Sequence, residues 1–145
     1  MIHSQNEKSV VMINPASVAS TATATGYVDT LGFNYLSIDV VLDSVAAATN
    51  NPATFNLQEG TITNPTSQTN ITGGVGDTGW TVPNMDTSDP TIVRFDVDLT
   101  DRERYITLDI TPTVTQIIGA VARLGRAQVT PDTDAELGVG EQVIL

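Results

Sequence analysis

This chain of 145 residues contains no cysteine. That absence removes disulfides, thiolate nucleophiles and zinc–thiolate sites together. It leaves the redox compartment open, because a domain of this size can bury enough core to stand without bridges. Histidine is nearly missing as well. His3 is the only one, so neither a Ser-His-Asp nor a Cys-His system has a positioned base, and a histidine-rich metal site has no ligands. Basic residues are scarce: six against 17 acidic ones, for a net charge of −11. Lys8 is the single lysine. So acidic a surface repels phosphate backbones, and nucleic-acid binding needs clustered cations that release counterions. Arg102, Arg104, Arg123 and Arg126 come nearest to such a cluster and are diluted by Asp101 and Glu103, so no nucleic-acid partner is expected. Long apolar runs are lacking too, and nothing reaches the length needed to span a bilayer. The start, MIHSQNEKSVVMINPAS, does not have the basic-then-apolar build of a secretory signal. A soluble protein without a membrane partner is expected, for which cell lysis, as for a virus particle, is one route of release.

What is present is alternation. In Phe33–Leu42, Leu36, Ile38, Val40 and Leu42 fall on one side and Phe33, Tyr35, Ser37 and Asp39 on the other. A period of two marks a half-buried strand. The pattern returns at Ile92–Leu99, with Val93, Phe95, Val97 and Leu99 inward and Arg94, Asp96 and Asp98 outward. It returns again at Arg104–Ile110, and the polar link Thr100-Asp101-Arg102-Glu103 between these two runs reads as a hairpin turn. Val114–Leu124 fits two templates. As a helix, Val114, Ile117, Ile118, Val121 and Leu124 make a stripe; as a strand, both faces are apolar, which suits a central strand covered on both sides. Gly119 and the β-branched residues favour the strand. Weaker segments are Lys8–Ile13, ended by Asn14-Pro15; the small-residue run Ser17–Thr25, broken by Gly26; a short helical turn at Val45–Ala48; and Thr54–Gln58, with Phe55 and Leu57 on one face.

Glu59–Thr91 is a long irregular region, and at ~30 residues it exceeds ordinary connections, so it is either a functional loop or one harbouring short strands. Trp80, the only tryptophan, lies within it and must pack under the loop, cap an open end or touch a partner. The whole counts as seven or eight strands with turn signals at sandwich-like spacing and no βαβ rhythm. The expected fold is all-β: a single-domain antiparallel β-sandwich of jelly-roll type, with a long irregular loop and extended termini. Residues 1–14 form an N-terminal arm and first short strand, 15–126 the sandwich, and 127–145 a polar, acidic C-terminal arm closing on apolar Val143, Ile144 and Leu145.

Catalytic chemistry is thin. Paired carboxylates are the one system this composition permits, and one of the two needs an apolar pocket to raise its pKa. Asp96, Asp98 and Asp109 project from outward faces; only Glu59 sits where a cleft could form. Gly73-Gly74-Val75-Gly76 lacks the Lys-Ser/Thr ending of a phosphate loop and reads as a flexible turn. Asp96, Asp98 and Asp101, with Asp77, Asp86 and Asp89, could offer oxygen ligands to calcium, although the pattern is not an EF-hand and solvated carboxylates are the simpler reading. No enzyme activity and no cofactor are expected.

Two stretches carry a family resemblance. Thr25-Gly26-Tyr27-Val28-Asp29-Thr30, followed by Gly32-Phe33 and a strong strand, resembles the opening of small structural proteins of tailed bacteriophages. Arg104-Tyr105-Ile106 through Ile110-Thr111-Pro112 to Ile118-Gly119-Ala120-Val121-Ala122-Arg123-Leu124-Gly125-Arg126 resembles their final hairpin. Together they are similar to head decoration (cement) proteins and cover about half the chain; Glu59–Thr91 has no counterpart. The resemblance implies a non-enzymatic virion protein on the capsid surface, assembled in the host cytoplasm, bound to the major capsid protein and to itself as a homotrimer. Under that reading Val10, Met12, Val143, Ile144 and Leu145 belong to arms reaching neighbouring subunits, and Arg123 and Arg126 pair with acidic surfaces. A carbohydrate- or cell-surface-binding module, with Trp80 and Tyr27 as stacking platforms, is the alternative; a tail or baseplate component is a third.

Overall fold

The computed structural model describes residues 7–45, 52–83 and 90–126. Within them lie eight strands: β1 (Lys8–Val18), β2 (Ala24–Asp29), β3 (Tyr35–Leu42), β4 (Thr54–Gly60), β5 (Thr69–Val75), β6 (Thr91–Asp98), β7 (Tyr105–Thr111) and β8 (Gln116–Gly125). They form two four-stranded sheets, ordered β1-β8-β3-β6 (sheet A) and β2-β7-β4-β5 (sheet B). All strand pairs are antiparallel. The fold is thus an all-β, two-sheet antiparallel sandwich. Pairing is nested, β1 with β8, β2 with β7, β3 with β6 and β4 with β5.

The core is what alternation dictates. Leu36, Ile38, Val40 and Leu42 of β3 and Ile106, Leu108 and Ile110 of β7 are wholly buried, meeting Phe55 and Leu57 of β4 and Ile118 and Leu124 of β8. Each such side chain contributes about 1.5–3 kcal/mol relative to exposure, which is why the register of these strands is fixed. Small Ala120 and Ala122 pair in register with the branched Val40 and Ile38, leaving room for side chains of the facing sheet.

Three local expectations are corrected, and one open alternative is resolved. The first strand does not stop at Asn14-Pro15 but runs on to Val18. Register shifts between Val11 and Ile13 and between Ile13 and Ala16 each insert one extra residue. The first bulge puts neighbouring Met12 and Ile13 both into the core. The second takes up Pro15 where its missing N–H breaks no ladder bond. Gly26 does not break a run; it lies inside β2 because a Cβ there would sit 2.1 Å from the Met12 carbonyl oxygen.

The third correction concerns hairpins. β6 pairs with β3 in sheet A, while β7 pairs with β2 and β4 in sheet B, so the link at 99–104 arches between sheets. The step from β7 to β8 crosses back in the same way. Alternation tells which face is buried and is silent about which strand is the partner. Finally, the long irregular region holds β5, which pairs with β4 as the one sequential pair within a sheet among the described strands. The short helical turn expected at Val45–Ala48 falls largely outside the described residues.

Candidate interaction surface

The outer faces of the two sheets differ. Sheet B presents polar groups to water. Thr25 Oγ1 donates to Asp109 Oδ1 at 2.6 Å, Gln58 Nε2 to Asn70 Oδ1 at 3.0 Å, and Arg104 holds Asp29 with two bonds of 2.9 and 2.6 Å. Apolar-in, polar-out is what a half-solvated antiparallel sheet requires. Sheet A departs from it. Its outer face exposes Val11 (58%), Val41 (47%), Ile92 (64%), Ile117 (50%) and Val121 (42%). In register, Val11 lies beside Val121, and Gly119 beside Val41, which lies beside Ile92. Val41, Ile117 and Val121, with Pro15, Pro90 and Gly119, border an apolar groove of about 440 Å³. Contiguous exposed apolar patches of more than a few hundred Å² are uncommon on monomers and mark interaction sites.

The other end of the same face is charged. Asp39 of β3 sits between two guanidiniums: Arg94 Nε and Nη2 donate to its oxygens at 2.5 and 3.0 Å, and Arg123 Nη2 donates at 2.6 Å. The hydrogen bond from Arg94, aided by the charge of Arg123, holds the Asp39 carboxyl below the usual carboxylate range. Tyr35 Oη donates to Asp96 Oδ1 at 2.7 Å. That bond, with a second from Ser37, lowers Asp96 and raises the Tyr35 phenol. The Arg126 guanidinium lies 5.8 Å from the centre of the Tyr35 ring. Tyr35, Ser37, Arg94, Asp96 and Arg123, with Glu7, line a polar hollow of about 320 Å³. Asp39 and Asp96 are thus kept ionised, the state opposite to that of a general acid.

The residues singled out in the sequence distribute as follows. Met12 is buried and Val10 is packed against the core, so neither is free to act as part of an arm; the period of two turns Val11 outward in their place. Arg123 is paired with Asp39 within the chain while its side chain stays partly exposed. Trp80 packs under its loop: its ring meets Phe55 at 4.9 Å and Phe95 at 5.2 Å, both edge-on. Tyr27 is exposed on sheet B and meets the ring of Tyr105 edge-on at 6.3 Å. Glu59 is tied to Arg102 at 3.1 Å and to the backbone N–H of Glu103 at 3.1 Å. Asp98 accepts from Thr100, and among the described residues no group of three or more acidic or histidine side chains could hold a metal ion. Val143, Ile144, Leu145, Asp86 and Asp89 lie outside the described residues.

The apolar face itself was overlooked at the sequence level, although a signal existed. Val40-Val41-Leu42, Ile92-Val93, Ile117-Ile118 and Val10-Val11-Met12 each carry one apolar residue more than strict alternation allows. In β8 that excess suggested a strand covered on both sides. The structure makes β8 central between β1 and β3, yet on its outer face Ile117 and Val121 are exposed and no described strand covers them.

No protein-family model matches the chain, and no curated protein matches it. Among solved structures it is similar to a family GH115 4-O-methyl-alpha-glucuronidase with specificity for decorated arabinogalactans. The alignment covers 83% of this chain and 16% of that enzyme, at 11% identity and a TM-score of 0.41. The chain therefore spans a small fraction of that enzyme's length, and the likeness is too slight to bear on function.

Proposed function

We propose that this chain is a non-enzymatic virion structural protein, a capsid decoration protein of a tailed bacteriophage that attaches to the outer head lattice and associates with itself. The observation that carries the reading is the apolar outer face of sheet A. A sheet that could have been polar outside, as its partner sheet is, instead keeps five branched side chains in water. Such a surface suits association, and multivalent attachment lets weak single contacts add up on a lattice. The nested pairing of strands 1 with 8, 2 with 7, 3 with 6 and 4 with 5 is read as a jelly roll, in keeping with the resemblance to decoration proteins. The high acidic charge suits a protein displayed in many copies, since it prevents indiscriminate aggregation. Localisation on the capsid surface, contact with the major capsid protein and assembly in the host cytoplasm belong to the same proposal. A tail or baseplate position would use the same surface on a different lattice.

Glycan binding by Trp80 is the weaker reading, because that ring is committed to Phe55 and Phe95. The test is retention. Purified protein is mixed with capsid shells of the encoding virus, or passed over immobilised polysaccharides. Co-sedimentation with shells and passage through the polysaccharide columns is the expected result. Retention on polysaccharide with no shell binding would move the glycan-binding module to the front.

A further inference from the structure

On the proposed reading of sheet A as an association surface, we infer that its occupant is a second copy of this chain, docked outer face to outer face about a two-fold axis that runs parallel to the strands and over β3. The registers carry the argument. β8 and β6 flank β3 on either side, so this axis lays β6 of each copy over β8 of the other. Gly119, Val41 and Ile92 share one row, and Arg123, Ser37 and Asp96 share another. The rotation therefore places Ile92, the most exposed of the five side chains, over the partner copy's Gly119, which borders the apolar groove together with the Pro15 ring packed against it. Val41 meets its own counterpart on the axis.

The polar row matches as well. Asp96 of each copy comes over Arg123 of the other. In the row between them, Asp39 meets Asp39, each already held by Arg94 and Arg123. Across the pair, the four guanidiniums of Arg94 and Arg123 stand against the four carboxylates of Asp39 and Asp96, with Glu7 at the edge of the same hollow, so this part of the face carries far more cation than the net charge of −11 would suggest.

The size is adequate. Three strands at about 4.8 Å spacing and about eight residues at 3.3 Å rise give each copy a face of roughly 14 by 26 Å. Covering it from both sides removes on the order of 1,000 Å² once side-chain relief is included, the lower bound for a specific contact. Aligned sheets pack at about 10 Å with a crossing near −30°, a spacing that side chains of this size fill. A face that matches itself builds pairs, whereas a ring of three needs two different patches in contact.

Because the chain has no cysteine, Val41→Cys introduces a single reactive thiol on the axis, and Thr25→Cys places one on the outer face of sheet B as control. With a short bis-maleimide at micromolar protein, Val41→Cys is expected to give covalent dimers in high yield and nothing larger, and Thr25→Cys background only. Wild-type protein is expected to sediment at twice the mass of one chain, and Ile92→Asp at the mass of one. A wild-type trimer, equal cross-linking at both sites, or a dimer unaffected by Ile92→Asp overturns the inference. If wild-type protein is a monomer but Ile92→Asp loses its attachment to capsid shells, the occupant is a capsid protein and only this inference fails. If it is a monomer and Ile92→Asp attaches normally, the reading of sheet A as an association surface fails with it.

Discussion

Val41 on β3 and Ile92 on β6 stand side by side in register on the water-facing side of sheet A, both largely exposed. Neither contributes to the core, whose inward positions on these strands are filled by Val40, Leu42 and Val93. Replacing each by threonine keeps the β-branch and removes apolar surface. Within a single chain, at protein concentrations too low for association, Val41→Thr and Ile92→Thr are expected to change unfolding free energy by less than about 0.5 kcal/mol, as surface substitutions do. Urea denaturation checks this. By contrast Leu108→Ala, at a wholly buried site, is expected to cost about 2–5 kcal/mol.

Gly26 is set by the close passage of β1 over β2. A methyl group there would press on the carbonyl of Met12, which is backbone and cannot swing away. Gly26→Ala is expected to destabilise by about 1–3 kcal/mol or more, the cost of overpacking. A drop in the urea midpoint with an unchanged slope is the expected signature. An unchanged midpoint would mean that β1 and β2 are further apart.

Stability is expected to fall in acid. The carboxyls of Asp39, Asp29 and Asp96 are each held below the ordinary 3.8, by hydrogen bonds from Arg94, Arg104 and Tyr35 respectively; Asp98 is lowered by Thr100. On acidification the unfolded chain therefore takes up protons before the folded one. Their contribution is full above about pH 5, shrinks as pH drops through 4, and is gone once pH falls below the folded-state values. Asp39→Asn is expected to flatten this acid slope in pH-dependent thermal melts and to leave the rest of the curve in place. A slope identical to wild type would show that the Arg94–Asp39–Arg123 cluster contributes nothing in solution.

Trp80 reports on packing. Its ring lies edge-on to Phe55 and Phe95 and its Nε1 is buried without a hydrogen-bond partner among the described residues. Emission is expected to be blue-shifted in the folded state and to move to the red on unfolding. Trp80→Ala is expected to cost about 2 kcal/mol, under the 3–5 kcal/mol of a fully buried aromatic, and to leave polysaccharide retention unchanged. A stable Trp80→Ala variant that loses such retention would restore the stacking role.

The strong strands were legible because burial imposes a period of two, and β3, β6, β7 and β8 display it in their inward residues. β5 was not, since TNITGGV offers only Ile71 to the core and interrupts the pattern with Gly73 and Gly74. β1 was cut short because a proline inside a strand is allowed only at a bulge or an edge, and a bulge leaves no local mark. The hairpins were misread for a different reason: local sequence specifies a turn, while the choice of sheet is made by the whole core. The candidate surface was half visible. Alternation sets Arg94 outward and Asp39 opposite the apolar side of its strand, but their pairing with each other and with Arg123 depends on residues 55 and 84 positions apart in sequence. The extra apolar residues at Val11, Val41, Ile92 and Ile117 were in plain view, and they acquire meaning only once the outer side of sheet A is known to be uncovered.

The decisive experiment is the native mass of wild-type protein and of Ile92→Asp, measured side by side by light scattering across a range of concentrations. If the outer face of sheet A is an association surface for a second copy, wild type runs as a dimer and Ile92→Asp, still unfolding cooperatively in urea, runs as a monomer at every concentration. Identical masses for the two proteins would contradict it.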